Sequence, residues 1–484
     1  MKKHLFILLA LFLSICANAQ KLSFDAKYIK VGVVSNKTLS PITDNANIRN
    51  LGYVNYRYVS NKKIDGNVIA DKLNKDKVGK TVLNRLLKRD SYGRLDMTNL
   101  YEEALKNTTL QEMEVAMQDF SAEAKDVLKK EISYQLLKNN YIIIIQEIPK
   151  KKHPEKSKYY WQAFHVDIDD RIIQQVFLNW ETPSIYDEIE VPVSFVGEGR
   201  YYTNSFLFDL GKKVPAFAIR GSVFSRHPFL AYTTAQQGVK KGDRFFIYRF
   251  KENRKGEIYS KKVCTARATD VTDEHTRLYT ISGKYASKKR GDIAVQKDRH
   301  KTSLSLMGQY SAGNDSRIGG RILFDYLTHF SKRGIAQYVL IGLDYNRYKK
   351  EPEGVWWNEN GEFAQPALND INASLGYGFG FNLLGRIEIM PYALIGYQHT
   401  FLTNRESLIY WDRNSDDWAT LNFDGYNAFV GHAGIRLSIN IWYPLQLMIA
   451  ADYNYATKDK EYNQIIERHD MNRVNFYAGF RLHF

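Results

Sequence analysis

Residues 473–484 read Arg473-Val474-Asn475-Phe476-Tyr477-Ala478-Gly479-Phe480-Arg481-Leu482-His483-Phe484. Val474, Phe476, Ala478, Phe480, Leu482 and Phe484 fall on one face of an extended chain. Arg473, Asn475, Tyr477, Gly479, Arg481 and His483 fall on the other. A period of two of this length predicts a strand with two different environments on its faces. It runs to Phe484, where chain ends ordinarily fray, so the spacing predicts a segment held in a sheet.

The same alternation recurs upstream, near 302–310, 318–327, 335–346, 371–382, 386–398, 429–440 and 445–455. With 473–484 that makes eight strands, the even number that single-chain bacterial membrane barrels require. The connections Ser331 to Gly334, Leu383 to Gly385 and Ile441 to Pro444 are tight, whereas Lys349 to Asn369, Thr400 to Asn422 and Ala456 to Asn472 are long and polar, with the short Ser311 to Ser316 as the exception among the latter. Short turns on one rim and long loops on the other are the habit of such barrels. Tyr310, Tyr326, Tyr345, Tyr397 and Tyr455 near strand ends suit interfacial belts. Pro391 lacks a ladder N–H, and a bulge or a shortened strand is expected there. A soluble two-sheet sandwich is the competing architecture, since it too would bury one face of each strand.

Composition permits a barrel and little else in a membrane. Of 484 residues, 44% are hydrophobic, enough for packed cores. A mean hydropathy of −0.42 excludes a polytopic helical protein but not alternating strands, whose values average out. Met1 to Gln20 carries Lys2 and Lys3, the apolar run Leu5 to Ile15 and the cleavage motif Ala17-Asn18-Ala19. That order predicts a signal peptide over residues 1–19, leaving Cys264 as the one cysteine of the exported chain. Export makes nucleic acid an improbable partner for the net charge of +15. Anionic lipid or an acidic protein surface suits the clusters at Lys72 to Arg94 and Lys150 to Lys158 better.

The terminal pattern resembles the C-terminal strand of Gram-negative outer-membrane β-barrel proteins of the small eight-stranded type. The resemblance implies that Phe480, Leu482 and Phe484 form the signal read by the barrel-insertion machinery. It also implies that residues 300–484 are the outer-membrane β-barrel, in contact with outer-membrane lipid, and that residues 20–299 lie in the periplasm.

On the inward face the sequence places Arg321, Asp325, Asp344, Arg386, Glu388, Arg436, Asp452, Arg473 and Arg481. An eight-stranded barrel has room for side chains and little more, and unpaired buried charge is costly. Interior ion pairs among Arg321, Asp325, Glu388, Arg436, Asp452 and Arg481 are therefore expected, which makes the barrel a plugged anchor. An acid/base set built on Glu388, Asp452 and His432 is the alternative use of the same residues.

The expected architecture is multidomain: a periplasmic α+β domain over 20–232, a small all-β SH3-like module over 233–299, then the eight-stranded antiparallel transmembrane β-barrel. In the first, strands are expected at Lys27 to Val34, Leu51 to Val59, Tyr141 to Ile148, Tyr159 to Ile168 and Ile172 to Trp180. Helices are expected over 67–138, with a capping box at Thr109 to Glu112. In the second, Gly242-Asp243 and Gly291-Asp292 open strands. Its turn spacing resembles the small SH3-like modules of periplasmic secretion and flagellar-accessory proteins, which implies contact with other proteins. Before the barrel there is no phosphate loop, metalloprotease helix or nucleophile elbow, and His153, His165 and His227 lack metal-ligand spacing.

The expectation is thus a non-enzymatic outer-membrane anchor with no cofactor. It presents an interaction domain to an unknown envelope partner in assembly, secretion or organisation. Two alternatives stand beside it: a surface interaction protein whose loop residues Trp356, Trp357, Trp411 and Trp418 anchor a partner, or a small barrel enzyme or narrow channel.

Overall fold

The computed structural model describes residues 64–86, 120–126, 137–148, 158–178, 189–201, 206–235, 237–255, 258–283, 288–312, 317–348, 356–357, 363–364, 368–383, 385–402, 408–412, 417–421, 425–457 and 472–484. The signal peptide, the strands expected at 27–34 and 51–59, and the capping box at 109–112 lie outside these residues.

Helices α1 (Gly66–Lys75) and α2 (Val78–Leu86) come first, followed by strands β1 (Tyr141–Ile148) and β2 (Lys158–Val166). Helix α3 (Asp170–Leu178), strand β3 (Val193–Tyr201) and helix α4 (Phe206–Lys213) complete this part. The strands form one antiparallel sheet in the order β1-β2-β3. Both faces are covered, which is why Ile142 to Ile145 is an unbroken apolar run. Ile142 and Ile144 pack with α1, α2 and α3, while Ile143 and Ile145 pack with Trp161, Phe206 and Leu210. Asp65 caps α1 by accepting the Asn67 N–H.

Residues 172–178 are helical, not the expected strand. The Asp169 carboxylate accepts the Ile172 backbone N–H at 2.9 Å, an N-cap bond that starts a helix. Ile172 and Ile173 then enter the core side by side, as neighbours on a helical stripe do and neighbours on a strand do not.

The next unit is a closed six-stranded barrel. Its strands are β4 (Arg220–Ser225), β5 (Leu230–Ala231), β6 (Arg244–Glu252), β7 (Ile258–Val271), β8 (Thr276–Gly283) and β9 (Ile293–Asp298), in the order β4-β5-β8-β7-β6-β9. Two of them precede residue 233, because closure needs β4 to pair with β9. One turn is built twice. Gly242 and Gly291 sit at φ +89° and +84°, a region that favours glycine. Asp243 and Asp292 follow them, and each accepts the backbone N–H three residues back, from Lys240 and Lys289, at 2.8 Å. Each aspartate also pairs with an arginine, Arg299 and Arg249 respectively. Burial still lifts the Asp243 carboxyl to about 6 against its basic neighbours.

Helix α4 joins the two units: Phe206 and Leu210 belong to the sheet core, and Phe208 belongs to the module core.

The last unit contains β10 (Thr302–Ala312), β11 (Arg317–Phe330), β12 (Ile335–Tyr348), β13 (Trp356–Trp357), β14 (Phe363–Ala364), β15 (Leu368–Leu383), β16 (Ile387–Leu402), β17 (Leu408–Asp412), β18 (Asp417–Leu421), β19 (Tyr426–Trp442), β20 (Leu445–Ala456) and β21 (Arg473–His483). Eight of these close a barrel, β10-β11-β12-β15-β16-β19-β20-β21, with β21 returning to pair with β10. Closure rules out the two-sheet sandwich. Pro391 causes neither a bulge nor a short strand. Its ladder to β15 lapses between the Gly378–Tyr392 and Phe381–Ile389 pairs and resumes in the same register. On the other side Pro391 stays paired with Ile435.

Candidate functional site: the barrel lumen and its closed end

Every barrel strand sets apolar side chains outward. Leu306, Ile322, Ile341, Leu375, Ile395, Ile435, Ile449 and Phe480, one from each of the eight strands, are exposed. Tyr310, Tyr345, Tyr397, Tyr453 and Tyr455 form an exposed row toward the long-loop rim. A water-soluble surface rarely carries a continuous apolar patch of more than a few hundred Å², and here the patch is the whole circumference. Meanwhile Arg321, Asp325, Arg436 and Arg481 are buried at 1% exposure or less. Apolar outside, charged inside and no free sheet edge is the arrangement hydrocarbon demands.

The C-terminal unit is a transmembrane β-barrel of the outer-membrane type. Strands of 11 to 17 residues exceed the ~9–11 that a tilted strand needs to cross a bilayer. Closed barrels of this type belong to outer membranes, and that is the location of this chain.

Part of the chain is similar to solved structures of outer-membrane proteins. A major outer membrane protein from Thermus thermophilus matches at 14% identity and TM-score 0.27, over 38% of this chain and 100% of its own. The N-terminal β-barrel domain of Pseudomonas aeruginosa OprF matches at 15% and 0.20, over 38% and 97%. The outer membrane protease OmpT from Escherichia coli matches at 9% and 0.22, over 55% and 97%. No protein-family model and no curated protein matches the chain.

The barrel lumen holds five arginines and five carboxylates among the described buried residues: Arg317, Arg321, Arg436, Arg473 and Arg481 against Asp325, Asp344, Asp370, Asp452 and Glu388. They stack in three layers, because Arg317, Arg321 and Asp325 recur every fourth residue on β11, ~13 Å apart. Nearest the long loops, Arg317 and Arg473 share Asp370. In the middle, Arg321 pairs with Asp344 and, at 2.6 Å, with Asp452. Asp452 further accepts Tyr392 Oη–H at 3.0 Å, the Asn475 amide at 2.9 Å and Tyr477 Oη–H at 3.2 Å. In the third layer Arg481 reaches Asp325 at 2.8 Å and Glu388 at 2.7 Å. Arg436 also donates to Asp325, at 3.0 and 3.1 Å, and Tyr338 donates to Glu388 at 3.0 Å.

The sequence placed Arg321, Asp325, Glu388, Arg436, Asp452 and Arg481 on this face, and the structure brings them together. Arg386 is not among them: it is exposed, in the turn before β16, one residue outside the alternation. Arg317 and Asp370 were missed, although Arg317 lies four residues before Arg321 on the same face. Glu388 and Asp452 do not form one acid/base set. They occupy different layers, and each is committed to a guanidinium.

Below the third layer sits the six-stranded module, fastened to all three short turns. The Tyr279 hydroxyl donates to the Asn382 carbonyl at 2.8 Å, beside Gly334 and the edge of Phe330. Gly385 lies against Thr280. Tyr443 meets Phe246 edge-on, with ring centroids 5.7 Å apart. The Asn440 side-chain amide donates to the Ile281 carbonyl at 2.8 Å. Arg244 is buried, pairs with Asp298 and donates to the backbone oxygen of Phe484. The insertion-signal candidates Phe480 and Phe484 themselves stay exposed on the outer wall.

Gly334 marks how close this contact is. It has φ +81°, and a Cβ there would lie 2.2 Å from the Tyr279 ring. Gly334→Ala is expected to loosen the module by about 1–3 kcal/mol. Faster amide exchange in β8 would show it. Gly308→Ala, whose added Cβ meets nothing nearer than 3.9 Å, should leave β8 unchanged.

The long-loop rim carries a second sheet, β14-β13-β17-β18, which sets Trp356 opposite Tyr410 and Trp411 opposite Trp418 along the backbone ladder. Of the first basic cluster, Lys72, Lys75 and Lys77 are exposed, while Lys88, Arg89 and Arg94 and the side chains of Arg85 and of Lys150 to Lys158 lie outside what the structure describes.

Proposed function

We propose that this chain is a non-enzymatic outer-membrane anchor. Its barrel holds the six-stranded module and the α+β domain in the periplasm, against the membrane, as an interaction region for an envelope protein in assembly, secretion or surface organisation. One observation carries the reading: a lumen filled by balanced ion pairs is closed at its short-turn end by a module in contact with every short turn. A conducting pore or a lumenal active site needs open space, and this design spends the lumen on holding the base rigid. Helix α4 extends the same rigidity to the α+β domain, so whatever binds there is held at a fixed distance from the bilayer.

Planar-bilayer recordings of the purified full chain test the reading. We expect no stable openings at moderate voltage. Long-lived large openings would sink the anchor reading in favour of a channel. Cross-linking from the module in native membranes should then recover an envelope protein.

A second reading has its own observation. The two long loops are tied into one four-stranded sheet carrying Trp356, Trp357, Trp411 and Trp418, a platform suited to a partner outside the cell. Removing that sheet while function persists would dispose of it.

A further inference from the structure

We propose that Lys262 and Lys297, set around the rings of Phe246 and Tyr443, bind the phosphodiester headgroup of an anionic phospholipid in the leaflet on the short-turn side. The proposal rests on the membrane-barrel reading and adds a ligand site to the module.

Position comes first. Tyr443 stands in the turn between β19 and β20, two residues after Ile441, which is exposed on the outer wall of the barrel. That wall is the hydrocarbon boundary, so Tyr443 lies at headgroup depth. Phe246, on the module, meets Tyr443 edge-on. The two rings therefore bridge module and barrel where acyl chains give way to headgroups, the level aromatic side chains favour.

Charge comes second. The Lys262 ammonium lies 3.5 Å from the Phe246 centroid and 5.2 Å from that of Tyr443. Lys297 approaches Phe246 at 5.8 Å, and the Arg244 guanidinium sits 4.9 Å from Tyr443. Three cations thus gather on two rings. The carboxylate of Asp298 is already held by Arg244 at 2.5 Å. Among the described residues, Lys262 and Lys297 form no ion pair. Desolvation against the rings, with Lys297 and Arg244 repelling, draws the Lys262 ammonium down to about 8. An anion seated between the lysines would remove that repulsion, and here the anion at hand is a lipid phosphate. Each lysine near an anionic surface contributes on the order of 1 kcal/mol.

The test uses the full chain in nanodiscs of phosphatidylcholine with a minor share of phosphatidylglycerol. Lipid retained after mild extraction is read by native mass spectrometry. The ratio of phosphatidylglycerol to phosphatidylcholine retained should exceed their ratio in the disc about thirtyfold, the effect expected of two such lysines. Lys262→Gln with Lys297→Gln should bring it back to the ratio in the disc. Lys261→Gln with Lys255→Gln, which removes the same charge from exposed positions of the module away from the two rings, should leave the enrichment intact. Retention at bulk share by the unaltered chain, or equal enrichment in the double variant, overturns the proposal. Enrichment that survives millimolar inorganic phosphate at fixed ionic strength supports the lipid as the source, whereas phosphate binding by the unaltered chain without lipid enrichment overturns it and leaves a free-phosphate site. A chain that enters the discs with heat-modifiable mobility yet shows no enrichment defeats the lipid site alone. One that cannot enter them defeats the barrel reading as well.

Discussion

Replacing Arg481 by methionine is expected to destabilise the barrel by about 3–5 kcal/mol, the cost of breaking a buried pair from one side. The reason lies in the charge count of the third layer. Arg436 and Arg481 face Asp325 and Glu388, two against two. Without Arg481, Asp325 keeps both of its bonds to Arg436. Glu388 keeps Tyr338 and a guanidinium at 3.9 Å, too far for a hydrogen bond. One carboxylate is then uncompensated in a wall that water does not reach. Urea unfolding from phospholipid vesicles, followed by gel mobility, measures the loss. The second arm is sharper: Arg481→Met combined with Glu388→Gln restores the balance and should be more stable than Arg481→Met alone. In a water-filled lumen the single change would cost under about 1 kcal/mol, as exposed pairs do, and the second substitution would rescue nothing.

The layering also explains why this network was legible before any coordinates. A strand with lipid on one side and a packed lumen on the other has no freedom in its pattern, since a slip of one residue turns every charge into hydrocarbon. Arg321, Asp325, Arg436 and Arg481 could be assigned to the lumen from parity alone. Parity fails where strands end, and the errors fall there. Arg386 falls inward only if the alternation is carried one residue into a turn, and Asp370 falls between the loop ending at Asn369 and the strand expected from 371, because the polar pair Asn369-Asp370 hides that β15 begins at Leu368. Pro391 was expected to disrupt its strand. Proline removes one donor and fixes one angle, and two neighbouring ladders hold the register through the gap.

The seating of the module was not legible. Arg244 and Phe484 are 240 positions apart, and Tyr279 is 103 from Asn382. No local period encodes such contacts. What the sequence did offer was the twice-used Gly-Asp turn, which marked the module as a small β unit without revealing its seat or its first two strands. The misread helix at 170–178 is a different failure. Asp169 was available as a cap, and the adjacent pair Ile172-Ile173 breaks the alternation that a half-buried strand requires.

Ile395→Arg separates a membrane barrel from every water-soluble alternative by sign as well as size. Ile395 is 75% exposed, in mid-strand, paired with Leu375 and Gly431. On a protein bathed in water, an exposed isoleucine replaced by arginine changes stability by no more than about 0.5 kcal/mol. At the midplane of a bilayer the same arginine costs about 2–4 kcal/mol, because its charge loses hydration and finds no partner on the lipid face. Ile395→Leu should be nearly neutral in both settings. The measurement is the unfolding free energy of the three proteins in vesicles of one composition. A loss of the larger size, confined to the arginine variant, fixes hydrocarbon against β16. Moving the arginine to Tyr455, at the long-loop rim, should shrink the loss to about 0–1 kcal/mol. That depth dependence cannot be produced by a soluble sheet, whose exposed positions all meet the same solvent.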